Sequence, residues 1–142
     1  LRLDLLVNDF TNKCMKDGYL VVYEKDFMRT FIHVSDMARS FIFALDNLDK
    51  MVDNVFNVGD ESMNYSKEAV CNMIAEKTNA FVHYENIGSD ADKRDYIVSY
   101  DKIKKLGFRT KVTIEEGIDE IIRALQIVDF QNPYTNAKNI LR

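Results

Sequence analysis

Apolar residues recur at helical spacing in four long stretches of the chain. The stretches carry Leu3, Leu6, Val7, Phe10 and Cys14; Ala38, Phe41, Ile42, Leu45 and Leu48; Ala69, Val70, Met73 and Ile74; and Ile114, Ile118, Ile121, Ile122, Leu125 and Val128. Because residues three or four apart share one face of a helix, each stretch predicts an amphipathic helix whose apolar face packs inward. A shorter helix is predicted between Ser99 and Gly107, with Ile103 and Leu106 facing inward.

Residues that favour helix ends flank these stretches. Gly18 follows the first one, where a left-handed C-cap is expected. Side-chain oxygens that can accept the free N–H groups of a first helical turn precede the other three. They belong to Ser35 and Asp36, to Ser66, and to Thr113, which forms a capping-box pattern with Glu116.

Four short segments alternate with the helices and have strand composition. They are residues 20–23, 30–34, 55–58 and 81–84, rich in Val, Ile, Phe and Tyr. Strands alternating with helices predict a mixed α/β fold in which short strands pack against helices.

Composition excludes several classes of function. With 142 residues, 46% of them hydrophobic and 30% charged, the chain predicts one soluble globular domain. It has no apolar run long enough to span a membrane, and a net charge of −4 gives no footprint for nucleic acid. Two histidines and two scattered cysteines lack metal-ligand spacing. Cys14 and Cys71 suit a reducing compartment, which predicts a cytoplasmic location.

Residues 29–41 read R-T-F-I-H-V-S-D-M-A-R-S-F. This run resembles the R-D-[YF]-I-H-V-x-D-x-A-x-A segment of the extended short-chain dehydrogenase/reductases, the family of nucleotide-sugar epimerases and dehydratases. The resemblance implies the C-terminal lobe of that family, without its N-terminal Rossmann portion. It also implies that Arg29 contacts the diphosphate of a sugar nucleotide. From the residues alone, Arg29 would instead pair with an acid at the surface.

A second segment, residues 90–108, resembles the family's R-x-G-D-x-x-x-Y-x-x-D-x-x-K-x-x-x-L-G-[WF] pattern. The resemblance places Asp92 and Tyr96 around the ribose and the diphosphate. The family's first arginine would fall at Ser89, so Arg94 is the available substitute. The other interpretation of residues 92–95 is a solvated run of charges.

The resemblance also assigns residues near the start of the chain. Asp4, Leu5 and Asn8 fall where the family holds the nucleotide sugar, and Tyr23 falls near the base. The loop with Ser62 and Met63 corresponds to one that approaches the nucleobase. Without the resemblance, Asn8 would be a solvated helix residue, and Tyr23 and Met63 would serve packing.

The sequence lacks the parts of the family that bind the cofactor and catalyse. Hydride transfer needs a G-x-x-G-x-x-G turn between a strand and a helix, and the five glycines are too widely spread to form it. It also needs a Tyr-x-x-x-Lys pair, and Tyr100 with Lys104 matches by spacing alone. We interpret that match as a coincidence and assign no catalytic residue. NAD or NADP is expected in a longer parent protein, not on this piece alone.

Two functional hypotheses follow. In the first, residues 1–128 form the substrate-binding C-terminal portion of an NAD(P)-dependent nucleotide-sugar epimerase or dehydratase, and residues 129–142 form a tail. The parent would be an isomerase or lyase of carbohydrate biosynthesis, and a homodimer is its expected assembly. A chain that starts at Leu1, inside a helical pattern, is expected to be a fragment. In the second hypothesis the chain is a free-standing α/β protein-interaction module without enzymatic activity.

Overall fold

Helices and short strands alternate along the computed structural model, which describes residues 2–89 and 93–128. The helices are α1 (Leu6–Asp17), α2 (Val34–Asp46), α3 (Leu48–Met51), α4 (Lys67–Thr78), α5 (Asp101–Lys105) and α6 (Ile114–Ile127). The strands are β1 (Tyr19–Tyr23), β2 (Met28–Thr30), β3 (Asn64–Ser66) and β4 (Phe81–Glu85), and a 3₁₀ turn covers Glu61–Met63. The predicted mixed α/β class is confirmed.

The strands of the described part form two small sheets. Strands β1 and β4 run parallel, with Tyr19 opposite Phe81. Strands β2 and β3 run antiparallel, with Arg29 opposite Tyr65. The second sheet therefore fixes the backbone of Arg29 in a ladder, where its side chain has a defined direction.

Two clusters of buried side chains hold these elements together. The larger cluster joins β1 to helices α1, α4 and α6 through Cys14, Leu20, Val22, Met63, Val70, Cys71, Ile74, Ile114 and Ile118. The smaller cluster forms around Tyr100, Ile103 and Phe108. Phe43 of α2 reaches this smaller cluster, with its ring 5.4 Å from that of Phe108 in an edge-to-face arrangement.

Several predicted helix ends are confirmed. Gly18 adopts the left-handed conformation at φ +70°, and its N–H donates to the Cys14 carbonyl at 3.1 Å. The Ser66 hydroxyl accepts from the Ala69 N–H at 3.1 Å. At the start of α6, Thr113 and Glu116 form the complete capping box.

The predicted strand at residues 30–34 is wrong in its bounds. The strand is Met28–Thr30, because its partner β3 begins at Asn64, directly after the 3₁₀ turn. Helix α2 is capped by His33, whose Nδ1 accepts from the Ser35 N–H at 3.3 Å, and not by Ser35 or Asp36. Similarly, Tyr100, and not Ser99, occupies the N-cap of α5.

The predicted strand at residues 55–58 is also wrong. No strand of the described part lies beside this segment, so it has no ladder to join. Its side chains nevertheless alternate in exposure, as in a strand with one buried face. Phe56 and Val58 pack against the smaller cluster, whereas Val55 is 86% exposed.

The prediction that the apolar face of α2 packs inward is wrong. Phe41, Ile42 and Leu45 are all exposed, and so is Leu48 at the start of α3. Helix α2 instead buries two polar residues, Asp36 and Ser40. No described element covers these apolar side chains. Helix α2 therefore exposes its apolar face and buries polar residues.

The other long helices pack largely as predicted. In α6, Ile114, Ile118 and Ile121 are buried. Leu3 is buried too, although α1 begins only at Leu6. None of the described helices has both the length and the apolar character that a membrane span requires.

Candidate functional site

A cavity of about 610 Å³ lies where four parts of the fold meet. These parts are the start of α1, strand β2 with the loop to α2, helix α6, and the segment around residue 95. The volume falls within the range of about 300–1,000 Å³ that is usual for small-molecule sites. Its lining residues are Asp4, Leu5, Leu6, Val7, Asn8, Arg29, Thr30, Phe31, Ile32, His33, Val34, Met63, Arg94, Tyr96, Thr113, Ile114, Gly117, Glu120, Ile121 and Ala124.

The structure brings most of the predicted site residues to this one cavity. Those that line it are Leu5, Asn8, Arg29, Arg94 and Tyr96, together with Asp4. Tyr23 is placed elsewhere, and Asp92 lies outside the described residues. Residues that are far apart in sequence therefore line the same cavity.

Arg29 is the buried cation of the site. It lies on β2, where the residue is 5% exposed. One guanidinium nitrogen, Nη1, donates to the Met28 carbonyl at 2.9 Å. The guanidinium also lies over the Tyr96 ring, 5.7 Å from its centroid. Because arginine offers five N–H donors in a planar fork, a side chain held in this way suits a diphosphate.

The segment that carries Arg94 and Tyr96 is tied to β2. The Asp95 carboxylate accepts from the Met28 N–H at 2.8 Å, and the Tyr96 N–H donates to the Met28 carbonyl at 3.3 Å. The run of charges is thus more than a solvated surface. Asp95 thereby holds the segment with Arg94 and Tyr96 against the strand that carries Arg29.

Asp95→Ala is expected to weaken ligand binding about 3- to 10-fold, which corresponds to one lost hydrogen bond of about 1 kcal/mol. The loss arises because the segment with Arg94 and Tyr96 is released from β2. Asp95→Asn is the matched control, since its amide oxygen can still accept from Met28. Calorimetric titration compares the variants, and an equal loss in both would show that the charge of Asp95 matters rather than its hydrogen bond.

The two acids in the cavity wall each have a basic partner. Asp4 pairs with Arg2, whose Nη2 lies 2.6 Å from the carboxylate. The Arg2 guanidinium holds the pKa of Asp4 below its usual range. Glu120 contacts His33, with 3.1 Å between the carboxylate and Nε2. Both carboxylates therefore accept hydrogen bonds from a basic neighbour, and that of Asp4 is also paired with a permanent cation.

The hydrogen bonds of His33 define its tautomer. Nδ1 accepts from the Ser35 N–H, so this nitrogen carries no proton. With Nδ1 as the acceptor, a neutral ring has its proton on Nε2, which then donates a hydrogen bond to the Glu120 carboxylate. Both ring nitrogens are occupied. This geometry is that of a hydrogen-bonded structural histidine rather than of a general base.

The sequence reasoning missed the wall that α6 contributes. Gly117, Glu120, Ile121 and Ala124 all line the cavity. One signal was available, because a glycine inside a helical pattern often marks a close approach. A Cβ on Gly117 would lie 3.6 Å from Cδ2 of His33, so α6 passes close to the loop before α2.

Two residues assigned by resemblance serve packing. Tyr23 ends β1, and its ring lies against Gly88, where φ is +121° and an added Cβ would come within 2.8 Å of the ring. Met63 belongs to the larger buried cluster as well as to the cavity wall. Of these two residues, only Met63 lines the cavity.

Tyr100 and Lys104 do not have the environment of a catalytic pair. Burial raises the pKa of Tyr100, and its hydroxyl is hydrogen-bonded to the Thr30 hydroxyl at 2.5 Å. The Lys104 ammonium contacts the Glu61 carboxylate. A general base requires a pKa near the working pH, and the raised pKa of Tyr100 moves away from it.

The glycines of the described part do not form a dinucleotide-binding turn. The glycines lie in separate places: Gly18 ends a helix, Gly88 lies against Tyr23, and Gly117 lies within α6. No turn of the described part links a strand to a helix through closely spaced glycines, as a dinucleotide diphosphate requires. The same residues contain no cluster of histidine, cysteine or acids that could hold a metal ion.

No protein-family model matches the chain. Solved structures do. The UDP-glucose 4-epimerase of Thermus thermophilus, in complex with NAD, has a TM-score of 0.70 at 19% identity over 87% of this chain and 40% of its own. The Thermotoga maritima UDP-glucose 4-epimerase, with UDP-glucose, has a TM-score of 0.65 at 24% identity, covering 86% of this chain and 39% of its own.

A third similar structure is a reductase. The GDP-mannoheptose C4 reductase of Campylobacter jejuni, with NADP bound, has a TM-score of 0.65 at 20% identity, covering 85% of this chain and 43% of its own. The chain thus spans about two fifths of the length of each of these proteins. In fold, the chain is therefore similar to a part of the NAD(P)-dependent sugar-nucleotide epimerases, dehydratases and reductases, the extended short-chain dehydrogenase/reductases, as the sequence resemblance predicted.

Proposed function

We propose that residues 1–128 form the substrate-binding portion of an NAD(P)-dependent nucleotide-sugar epimerase, dehydratase or reductase. The cavity beside β2 binds the nucleoside diphosphate of the substrate. The cofactor and the catalytic groups are supplied by another portion of the complete protein. This portion alone catalyses nothing.

One observation carries the proposal. Five residues that the sequence assigned to substrate binding, spread from Leu5 to Tyr96, line a single cavity of suitable volume. The fold is similar to parts of sugar-nucleotide enzymes, which is the same class of enzymes whose sequence pattern assigned these five residues. The Thermotoga maritima structure holds UDP-glucose, so a ligand of this class is compatible with the fold.

The wall residues have distinct parts in this proposal. Arg29 donates hydrogen bonds from its planar guanidinium to the diphosphate oxygens, and Arg94 adds a second positive charge. Tyr96 keeps the Arg29 guanidinium in place from one side. The apolar wall around Leu5 and Ile121 shields these contacts from water, which strengthens charged hydrogen bonds.

The reducing cytoplasm is the proposed location. Cys14 and Cys71 are both free and buried. Burial raises the pKa of Cys71 to about 12, so its thiol stays protonated and unreactive. Neither cysteine contributes to the cavity or to a disulfide.

Calorimetric titration of the complete protein tests the proposal. UDP-, GDP-, CDP- and dTDP-sugars are titrated separately, and the corresponding free sugars serve as controls. At least one sugar nucleotide is expected to bind, and the free sugars are expected to give no heat of binding. The nucleotide dependence follows because the diphosphate supplies the contacts to the arginines.

Failure of all four nucleotide classes to bind would contradict the proposal. It would favour the second hypothesis, in which the chain is an α/β interaction module. Equal binding of free sugars and sugar nucleotides would also contradict it, because Arg29 would then have no anion to recognise.

A further inference from the structure

Residues 95–100, called here the Tyr96 segment, belong to no helix or strand. The N–H groups that donate from this segment nevertheless belong to alternate residues, namely Tyr96, Val98 and Tyr100. This spacing is typical of a strand, in which alternate residues face the same neighbour. Tyr96 donates to a backbone carbonyl, that of Met28, whereas Val98 and Tyr100 donate to side chains. Side chains therefore take the place of a neighbouring strand along most of this segment.

Asn64 pairs with Val98 as a residue of a neighbouring strand would. Its Nδ2 donates to the Val98 carbonyl at 3.0 Å, and its Oδ1 accepts from the Val98 N–H at 3.2 Å. Two residues that oppose each other in an antiparallel ladder exchange the same two bonds. Nδ2 also donates to the Glu61 carbonyl at 3.1 Å, so one orientation of the amide satisfies all three contacts. The Asn64 side chain thus replaces a backbone partner.

The residue opposite Asn64 in the ladder between β2 and β3 bonds to the same segment. This residue is Thr30, and side chains of opposed residues project from the same face of a sheet. The Thr30 hydroxyl is hydrogen-bonded to the Tyr100 hydroxyl at 2.5 Å. The Tyr96 segment is therefore joined to one ladder pair at two points, Val98 and Tyr100, which fixes the residues that face the sheet.

The register of the Tyr96 segment decides which side chains reach the cavity. Arg94 and Tyr96 line the cavity, whereas Ile97 is 70% exposed. Because alternate residues of a strand-like segment face opposite sides, a shift by one residue would turn Ile97 towards Arg29 and Tyr96 away from it. The contact between the Arg29 guanidinium and the Tyr96 ring would then be lost.

We propose that Asn64 is a positioning residue of the substrate cavity. Its side-chain amide fixes the register of the Tyr96 segment, so that Tyr96 lies against Arg29 and Arg94 lines the cavity before a ligand binds. The inference rests on the function proposed above, in which Arg29 and Arg94 recognise the diphosphate. Asn64 acts through Val98, since it is not among the described residues that line the cavity. A wall that is ordered in advance lowers the ordering cost of binding.

Calorimetric titration of the complete protein with the sugar nucleotide that binds in the screen measures this role. Asn64→Ala removes the amide, and Asn64→Leu removes it while keeping a side chain of similar volume. Both are expected to weaken binding about 10-fold, because two hydrogen bonds are lost and fewer molecules hold the segment in the binding-competent register. Weakening by Asn64→Ala alone would overturn the inference, since the space left by the smaller side chain would then explain it.

Asn57→Ala is the matched control. The exposed Asn57 side chain donates to the Ser99 carbonyl at 3.2 Å, so this variant removes a single amide contact to the same segment. Its affinity is expected to stay within about 2-fold of that of the unmodified protein, because the pair between Asn64 and Val98 is intact. Equal losses in Asn57→Ala and Asn64→Ala would overturn the inference, because any attachment of the segment would then have the same effect.

A second background separates positioning from a general loss of stability. In the complete protein with Arg94→Ala and Tyr96→Ala, the side chains that Asn64 positions are absent, while Arg29 remains to bind the diphosphate. Asn64→Ala is then expected to weaken binding no further, so the effects of the substitutions are not additive. A further loss of the same size in this background would overturn the inference.

Amide hydrogen exchange in the ligand-free complete protein tests the register without any binding. In peptides that cover residues 95–100, exchange is expected to be on the order of 10-fold faster in Asn64→Ala, because the Val98 N–H loses its acceptor. Unchanged exchange would overturn the inference whether or not a sugar nucleotide binds. Faster exchange without binding of any sugar nucleotide would contradict the proposed function and support the role of Asn64, so the two proposals fail separately.

Discussion

Arg29→Ala is expected to weaken binding of a nucleoside diphosphate sugar about 100-fold, because charged hydrogen bonds to phosphate contribute about 1.5–3 kcal/mol. Arg29→Lys keeps the positive charge but removes the planar fork. Its loss is expected to be intermediate, about 10-fold. The measurement is a calorimetric titration of the complete protein with the sugar nucleotide that binds in the screen.

Comparing a nucleoside with a sugar nucleotide tests this prediction more directly. The nucleoside without phosphates should lose no affinity in Arg29→Ala, because the guanidinium acts on the diphosphate. Arg123→Ala, at an exposed arginine of α6, is the matched control and should bind as the unmodified protein does. Equal weakening of nucleoside and sugar nucleotide in Arg29→Ala would place the effect in the fold rather than in recognition.

Arg29→Ala also removes a buried side chain, so folding must be measured with it. The guanidinium donates to the Met28 carbonyl and packs on Tyr96. A lower melting temperature is therefore expected, and titrations are run well below it. Arg29→Lys keeps much of the aliphatic stem and separates a loss of packing from a loss of the diphosphate contact.

Asp36→Asn is expected to reduce the free energy of unfolding by about 3 kcal/mol, because it disrupts the hydrogen bonds and the ion pair of a fully buried carboxylate. The Asp36 carboxylate is 0% exposed and accepts from the N–H groups of Lys111 and Val112 at 3.0 Å each. It also contacts the Arg39 guanidinium. An asparagine would turn an amide N–H towards one of these donors and leave it unsatisfied.

The pH dependence of this contribution has a defined sign. Burial raises the pKa of Asp36, but the hydrogen bonds from Val112, Lys111 and Arg39 outweigh burial, so its pKa lies below the usual value. The contribution is present above the unfolded-state pKa of about 4 and is lost as the pH falls through the folded-state pKa. The difference between the unmodified protein and Asp36→Asn should therefore shrink below about pH 4.

Urea denaturation of the complete protein between pH 3 and pH 7, about the range that spans the unfolded-state pKa, measures both effects. Asp46→Asn, an exposed acid in the last turn of α2, is the control and should change stability by less than about 0.5 kcal/mol. An equal loss in both variants, or a loss in Asp36→Asn that is independent of pH, would contradict the role given to the Asp36 network.

Asp36 shows where sequence reasoning about helix ends succeeds and where it stops. Ser66 and Thr113 cap their helices as predicted, because the cap is a local interaction between residues close in sequence. Asp36 has the same local signature but bonds with Lys111 and Val112, more than 70 residues away. A long-range acceptor role cannot be predicted from neighbouring residues.

The apolar spacing of α2 predicted the helix correctly and its environment incorrectly. Periodicity reports which residues share a face, and Phe41 and Leu45 do share one. It does not report which element covers that face. Residues 55–58 pose the same problem, because their composition predicted a strand, and no strand of the described part lies beside them.

Those residues of the candidate site that lie within short sequence motifs could be predicted. Arg29 and Tyr96 were assigned from two separate segments, and both line the cavity. The contributions of Glu120 and Ile121 were not predicted, because α6 joins the site only through packing of the whole fold. Asp95 was part of an ordinary charge run, and only its bond to the Met28 N–H distinguishes it.

A crystal structure of the complete protein with its bound sugar nucleotide tests the central claim most directly. The account predicts diphosphate oxygens at about 2.7–2.9 Å from the guanidinium nitrogens of Arg29, the distance of charged hydrogen bonds. Arg94 and Tyr96 should lie beside the same ligand. A sugar nucleotide bound elsewhere, with the cavity beside β2 free of its diphosphate, would contradict the account.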